Sequence, residues 1–98
     1  KSQKKQEEVL DKALDWEERK KKKNERRKLE RQEEELLAEI SQTEDLKAEL
    51  AARLERQEIY SDAEKSRKVQ AEIEKTEKTL QDLTKEWESV AEKLAQED

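Results

Sequence analysis

Apolar residues recur through the last third of the chain at Val69, Ile73, Leu80, Leu83, Trp87, Val90 and Leu94, with Thr76 on the one polar rung. The steps alternate four and three without a slip. That average of about 3.5 residues keeps one stripe of a helix turned toward a partner helix. The pattern predicts a helix over about residues 62–96, roughly 50 Å long at 1.5 Å per residue. A second ladder precedes it: Leu29, Glu33, Leu36, Ile40, Thr43, Lys47, Leu50 and Leu54, flanked by Leu37 and Leu46. It predicts a partner helix over about residues 24–55, with Glu33 and Lys47 as polar faults in its seam.

The two ladders are out of step. Extending the first past Leu54 reaches Gln57, Ser61, Glu64 and Lys68, all polar, whereas the second begins at Val69. Either a skip residue interrupts one long helix or the chain folds back between residues 55 and 68. Facing positions of an antiparallel hairpin have residue numbers with a constant sum. Leu50 with Val69, Thr43 with Thr76, Leu36 with Leu83 and Leu29 with Val90 all give 119. Half of that sum falls at Ile59 and Tyr60. Beside them, Ser61-Asp62-Ala63-Glu64 reads as the S-x-x-E of a capping box. The hairpin is the favoured reading, with a turn over about residues 56–61 and Thr43 facing Thr76 as a register-setting layer.

Composition narrows what such a hairpin can be. Only 30% of the 98 residues are apolar, while 52% are charged. A multilayer globular core cannot be built from that mixture. Gly and Pro are both absent, which removes the strongest helix breakers. The expected fold is all-α: a two-helix antiparallel coiled-coil hairpin over residues 24–98, with residues 1–23 as a basic helical lead-in or linker.

Candidate chemistry is sparse. Cys and His are both absent, so disulfides, thiolate metal sites and histidine catalysis are excluded. Runs such as Glu33-Glu34-Glu35 belong to a solvated helix face, which has no pocket to shift a carboxylate's pKa. No enzyme activity, cofactor, metal or small-molecule ligand is expected of this chain. No apolar stretch approaches a membrane span, so no membrane partner is expected and a cytoplasmic setting is the default. The first residue is Lys and Met is absent altogether, which suggests a piece of a longer protein.

The net charge of −5 conceals a division. Residues 19–31 carry nine cations, Arg19, Lys20, Lys21, Lys22, Lys23, Arg26, Arg27, Lys28 and Arg31, against Glu25 and Glu30, a balance of +7. Residues 32–98 carry ten basic and twenty acidic residues, a balance of −10. Two glutamates cannot neutralise nine cations by i,i+4 pairing, so the segment is a candidate phosphate-binding surface. Trp16 is either a small docking anchor or one exposed ring on a frayed turn. Trp87 reads as a seam side chain at the hairpin's open end.

From Glu58 to Val90 the chain reads EIYSDAEKSRKVQAEIEKTEKTLQDLTKEWESV. This stretch, with the basic lead-in and Leu-rich helix before it, resembles the C-terminal domain of ABC-F proteins, especially the Uup-like branch. Glu58-Ile59-Tyr60-Ser61-Asp62 matches the family's short aromatic turn. Trp87-Glu88, followed by Val90, matches its closing aromatic-Glu pair. The resemblance covers about residues 19–95, and departs from the family where Gln57 stands in place of the Pro often found before the turn. It implies a two-helix extension of a soluble protein with two ATP-binding cassettes, which this chain itself lacks. It also implies nucleic-acid engagement, because the Uup-like extension binds DNA and other ABC-F proteins meet ribosomal RNA.

The functional expectation is therefore a monomeric nucleic-acid-binding module of an ABC-F ATPase, with DNA or ribosomal RNA as partner. The alternatives are a structural or dimerising coiled-coil rod and a protein-interaction arm.

Overall fold

The computed structural model describes residues 2–96; residue 1 of the lead-in and residues 97 and 98 of the hairpin lie outside it. Three helices follow one another: α1 from Ser2–Leu54, α2 from Gln57–Tyr60 and α3 from Ala63–Gln96. α3 packs back along α1 to form an antiparallel hairpin, a rod measuring 89 × 17 × 14 Å. The single skipped helix is thereby ruled out.

The seam is the one spelled by the two ladders. Leu50, Val69, Thr76 and Val90 are buried. Leu29, Glu33, Leu36, Ile40, Thr43 and Leu54 on α1 are half-buried, as are Ile73, Leu80, Leu83, Trp87 and Leu94 on α3. Leu37 and Leu46, one step off the stripe, stay exposed. Leu50 is the most deeply buried side chain, at 2% exposure. A two-helix coil has no third layer to close its flanks, so most seam positions keep one edge in water.

Lys47 does not enter the seam. It is exposed and reaches across to α3, where its Nζ lies 3.4 Å from Glu77 Oε1. Thr43 and Thr76 line one furrow beside the seam, together with Leu46 and Leu50. Their hydroxyls do not join across it. Thr43 Oγ1 donates to the Glu39 carbonyl and Thr76 Oγ1 to the Glu72 carbonyl, each at 2.7 Å and one turn back in its own helix. The layer consists of two internally satisfied threonines, and no inter-helix hydrogen bond holds its register.

The turn is made without glycine, proline or any positive φ among the described residues. α1 tightens at its end, where the Glu55 and Arg56 N–H groups donate to the carbonyls of Ala52 and Arg53. Arg56 then adopts an extended conformation (φ −76°, ψ 136°) that stops the helix. Its carbonyl accepts from the N–H groups of Ile59 and Tyr60, which closes the single turn of α2. Ile59 tucks in half-buried while Tyr60 remains exposed.

The start of α3 corrects the capping-box reading. Ser61 is the C-terminal cap of α2. The residue capping α3 is Asp62, whose Oδ1 accepts from the N–H of Glu64 at 3.1 Å and of Lys65 at 3.2 Å. A carboxylate one position later does the work expected of the serine, and it also complements the positive end of the helix dipole.

The lead-in is the first part of α1, continuous with the strand of the coil. Lys22, Lys23, Glu25 and Arg26 share a furrow with Gln96, the last described residue of α3. Residues 2–21 project past the open end as a single helix, about 30 Å long at 1.5 Å per residue. Val9, Leu10, Leu14 and Trp16 on this overhang are all more than half exposed. Its helicity rests on the absence of breakers and on i,i+4 pairs such as Arg19 Nη2 with Asp15 Oδ2 at 2.8 Å.

Candidate nucleic-acid interface

The nine cations of residues 19–31 sit in the middle of α1, where the overhang meets the coil. Helical geometry separates what the linear run groups together. At 100° per residue, Lys20, Lys23, Arg27 and Arg31 fall within a sector of about 80°, centred some 140° from the direction of Arg26, Leu29, Glu33 and Leu36. These four form a line along the side of α1 turned away from the seam, with Lys23 at its edge also bordering the furrow shared with Gln96. Arg19 borders that line, and Lys21 and Lys28 form a second, shorter row beside it. Lys22 and Arg26 turn toward the seam side, at the furrow shared with Gln96.

Arg26 is the one half-buried member of the set, and its Nε donates to Glu30 Oε1 at 3.1 Å. Arg19 is engaged by Asp15. Lys20 Nζ rests 5.1 Å from the centroid of the Trp16 ring, a cation–π contact that leaves its charge facing water. Among the described residues, Lys21, Lys22, Lys23, Arg27, Lys28 and Arg31 have no ion-pair partner. Such cations attract polyanions because nothing on the protein needs to be displaced.

A site of this kind offers electrostatics and little else. The furrow between the helices near Lys47 is open and lined by charged ends such as Lys47, Glu77, Lys85 and Glu88. Among the described residues no group of carboxylates is arranged to hold a metal ion. None of their helices is long and apolar enough to cross a membrane. Trp87 takes its place in the seam, with its Nε1 shielded from water and without a hydrogen-bond partner. The linear run hid the relation of Trp16 to the cations, though the steps of four, three, four and four from Trp16 through Lys20, Lys23 and Arg27 to Arg31 are readable in the chain.

Comparison with known proteins sets this geometry in context. No curated protein and no solved structure matches the chain. The family described as the ABC transporter C-terminal domain matches residues 20–92, a span that opens within the basic segment and takes in the remainder of α1, the tip and nearly all of α3. The chain belongs to the ABC transporter C-terminal domain family.

Proposed function

We propose that this chain is the nucleic-acid-binding coiled-coil module of a cytoplasmic ABC-F ATPase of the Uup-like branch, acting as a monomeric hairpin. Family membership supports a module attached to ATP-binding cassettes. The aromatic turn at Tyr60-Ser61-Asp62 and the Trp87-Glu88 pair favour the Uup-like branch. In this reading ATP hydrolysis belongs to the cassettes, and the hairpin supplies affinity for DNA or ribosomal RNA.

The observation that carries the reading is the line of Lys20, Lys23, Arg27 and Arg31 on the side of α1 turned from the seam, with Lys23 at its edge. Its cations stand on successive turns, three of them without an ion-pair partner among the described residues. A phosphate backbone laid along this line exchanges its condensed counterions for fixed cations, which favours binding at low salt without strong sequence preference. The acidic flank from residue 32 onward confines the contact to the basic stretch by repelling phosphate.

The test is a salt titration. Engaging about four phosphates gives a slope of log K against log salt near −3.6 on duplex DNA. Replacing Lys20, Lys23, Arg27 and Arg31 together by Gln should remove most of that slope and most of the affinity, with helicity by circular dichroism unchanged. Equal binding by parent and quadruple variant would sink the proposal and move the interaction-arm reading to first place.

A further inference from the structure

Trp16 stands one turn before Lys20 on the same side of α1 as Lys23, Arg27 and Arg31. At 100° and 1.5 Å per residue, all five side chains leave the helix within about 80° of one another, over about 22 Å of its length. The indole is 62% exposed, and Lys20 Nζ lies 5.1 Å from its centroid. The two tryptophans of this chain are in opposite situations. Trp87 is built into the seam, so packing accounts for it. Trp16 sits on the overhang, beyond the last described turn of α3.

We propose that Trp16 is a stacking platform at the end of the basic line, and that the line takes a single strand of nucleic acid. Phosphates lie along Lys20, Lys23, Arg27 and Arg31, and an unpaired base lies on the indole. This rests on the nucleic-acid reading above and specifies its substrate. A single row of cations on a narrow rod can follow one backbone, and an aromatic ring beside it can stack on any base whose face is free. In a duplex those faces are hidden within the stack, so the indole contributes only where bases are unpaired. Stacking is tolerant of sequence because every base has a π-face. The same exposed indole, with Val9 and Leu10 nearby, would also suit a protein partner; the cation line that begins one turn away favours nucleic acid.

The experiment compares a short oligothymidylate with a duplex of equal length, titrated at low salt into the whole chain and into its Trp16→Ala and Trp16→Phe variants. The single strand should quench the parent's tryptophan emission. The emission of Trp16→Ala, which comes from the seam-packed Trp87 alone, should respond far less. Trp16→Ala should bind the single strand about tenfold more weakly and the duplex within about twofold of the parent. Its salt slope should match the parent's, since no cation is lost. Trp16→Phe should recover most of the affinity. If Trp16→Ala binds the single strand as tightly as the parent, or loses affinity equally for both forms, the stacking assignment fails while the basic line stands. If neither nucleic acid binds the parent, both proposals fall and the exposed overhang is left to a protein partner.

Discussion

Lys47 Nζ and Glu77 Oε1 meet 3.4 Å apart across the hairpin, from a position of α1 where the ladder calls for an apolar side chain. Both residues remain nearly half exposed, so the pair is worth no more than about 1 kcal/mol. It keeps the lysine out of the seam and leaves that layer without an apolar side chain from α1. Lys47→Leu should therefore stabilise the hairpin by about 1 kcal/mol through added apolar burial. Lys47→Glu should destabilise it by a similar amount through repulsion of Glu77, and adding Glu77→Lys should restore most of the loss. Thermal melts of the four chains decide this, and an unchanged midpoint in Lys47→Leu would show that the layer has no room to fill.

Leu50 is the side chain most completely withdrawn from water. Its truncation to Ala should cost about 2–5 kcal/mol, at or above the cost of any other seam position. In a coil with so few buried groups that is a large part of the total stability. Leu37→Ala provides the contrast, because Leu37 is 46% exposed and should change stability by less than about 0.5 kcal/mol. Chemical denaturation followed by circular dichroism ranks the two.

Asp62 holds the first turn of α3 through two backbone N–H groups. Asp62→Ala should lower stability by about 1 kcal/mol, while Asp62→Asn keeps an acceptor and should lose only part of that. Ser61→Ala, which removes no capping bond, should be near neutral. A larger loss at Ser61 than at Asp62 would overturn the cap assignment.

Thr76 is 7% exposed, yet its hydroxyl is satisfied within its own helix. The Glu72 carbonyl that accepts this bond also faces the N–H of residue 76 in the helical ladder, so removing the hydroxyl does not orphan it. Thr76→Val should be neutral or stabilising by up to about 1 kcal/mol. A loss exceeding 1 kcal/mol would mean that the hydroxyl serves a purpose beyond its own helix.

Much of the fold was legible because burial here follows one rule. With half the residues charged, every apolar side chain at 3.5-residue spacing belongs to the seam, and Leu29 through Leu54 and Val69 through Leu94 could be paired by index alone. Three details escaped that rule. Lys47 occupies a seam position by number but leaves it by length, since a four-carbon stem can carry its charge to Glu77. Asp62 displaced Ser61 as cap because the last turn of α2 claims Ser61, a contest decided by backbone geometry that the S-x-x-E spacing does not encode. The overhang was expected to be helical, but Val9, Leu10, Ala13, Leu14 and Trp16 have no matching ladder on α3, so periodicity gave no sign that the lead-in and the first seam helix are one unbroken α1 from Ser2–Leu54. At the candidate interface the charge count was plain from the chain, whereas the division into a line, a side row and a seam-facing pair required the helix to be placed against its partner.

The glycine-free tip has a consequence for which sequence changes this hairpin can absorb. Because no position between Glu55 and Asp62 needs a positive φ, few of those positions demand a particular residue, and most can be exchanged without altering the path of the chain. Within the long helices the number of residues is another matter. Adding or removing one residue in the middle of α3 turns everything beyond it by about 100° relative to α1, which would aim the neighbours of Val90 at the seam in its place. Changes in chain length should therefore be confined to the tip, where the breaks at Arg56 and Ser61 uncouple the phases of the two helices, while the long helices can change only by substitution.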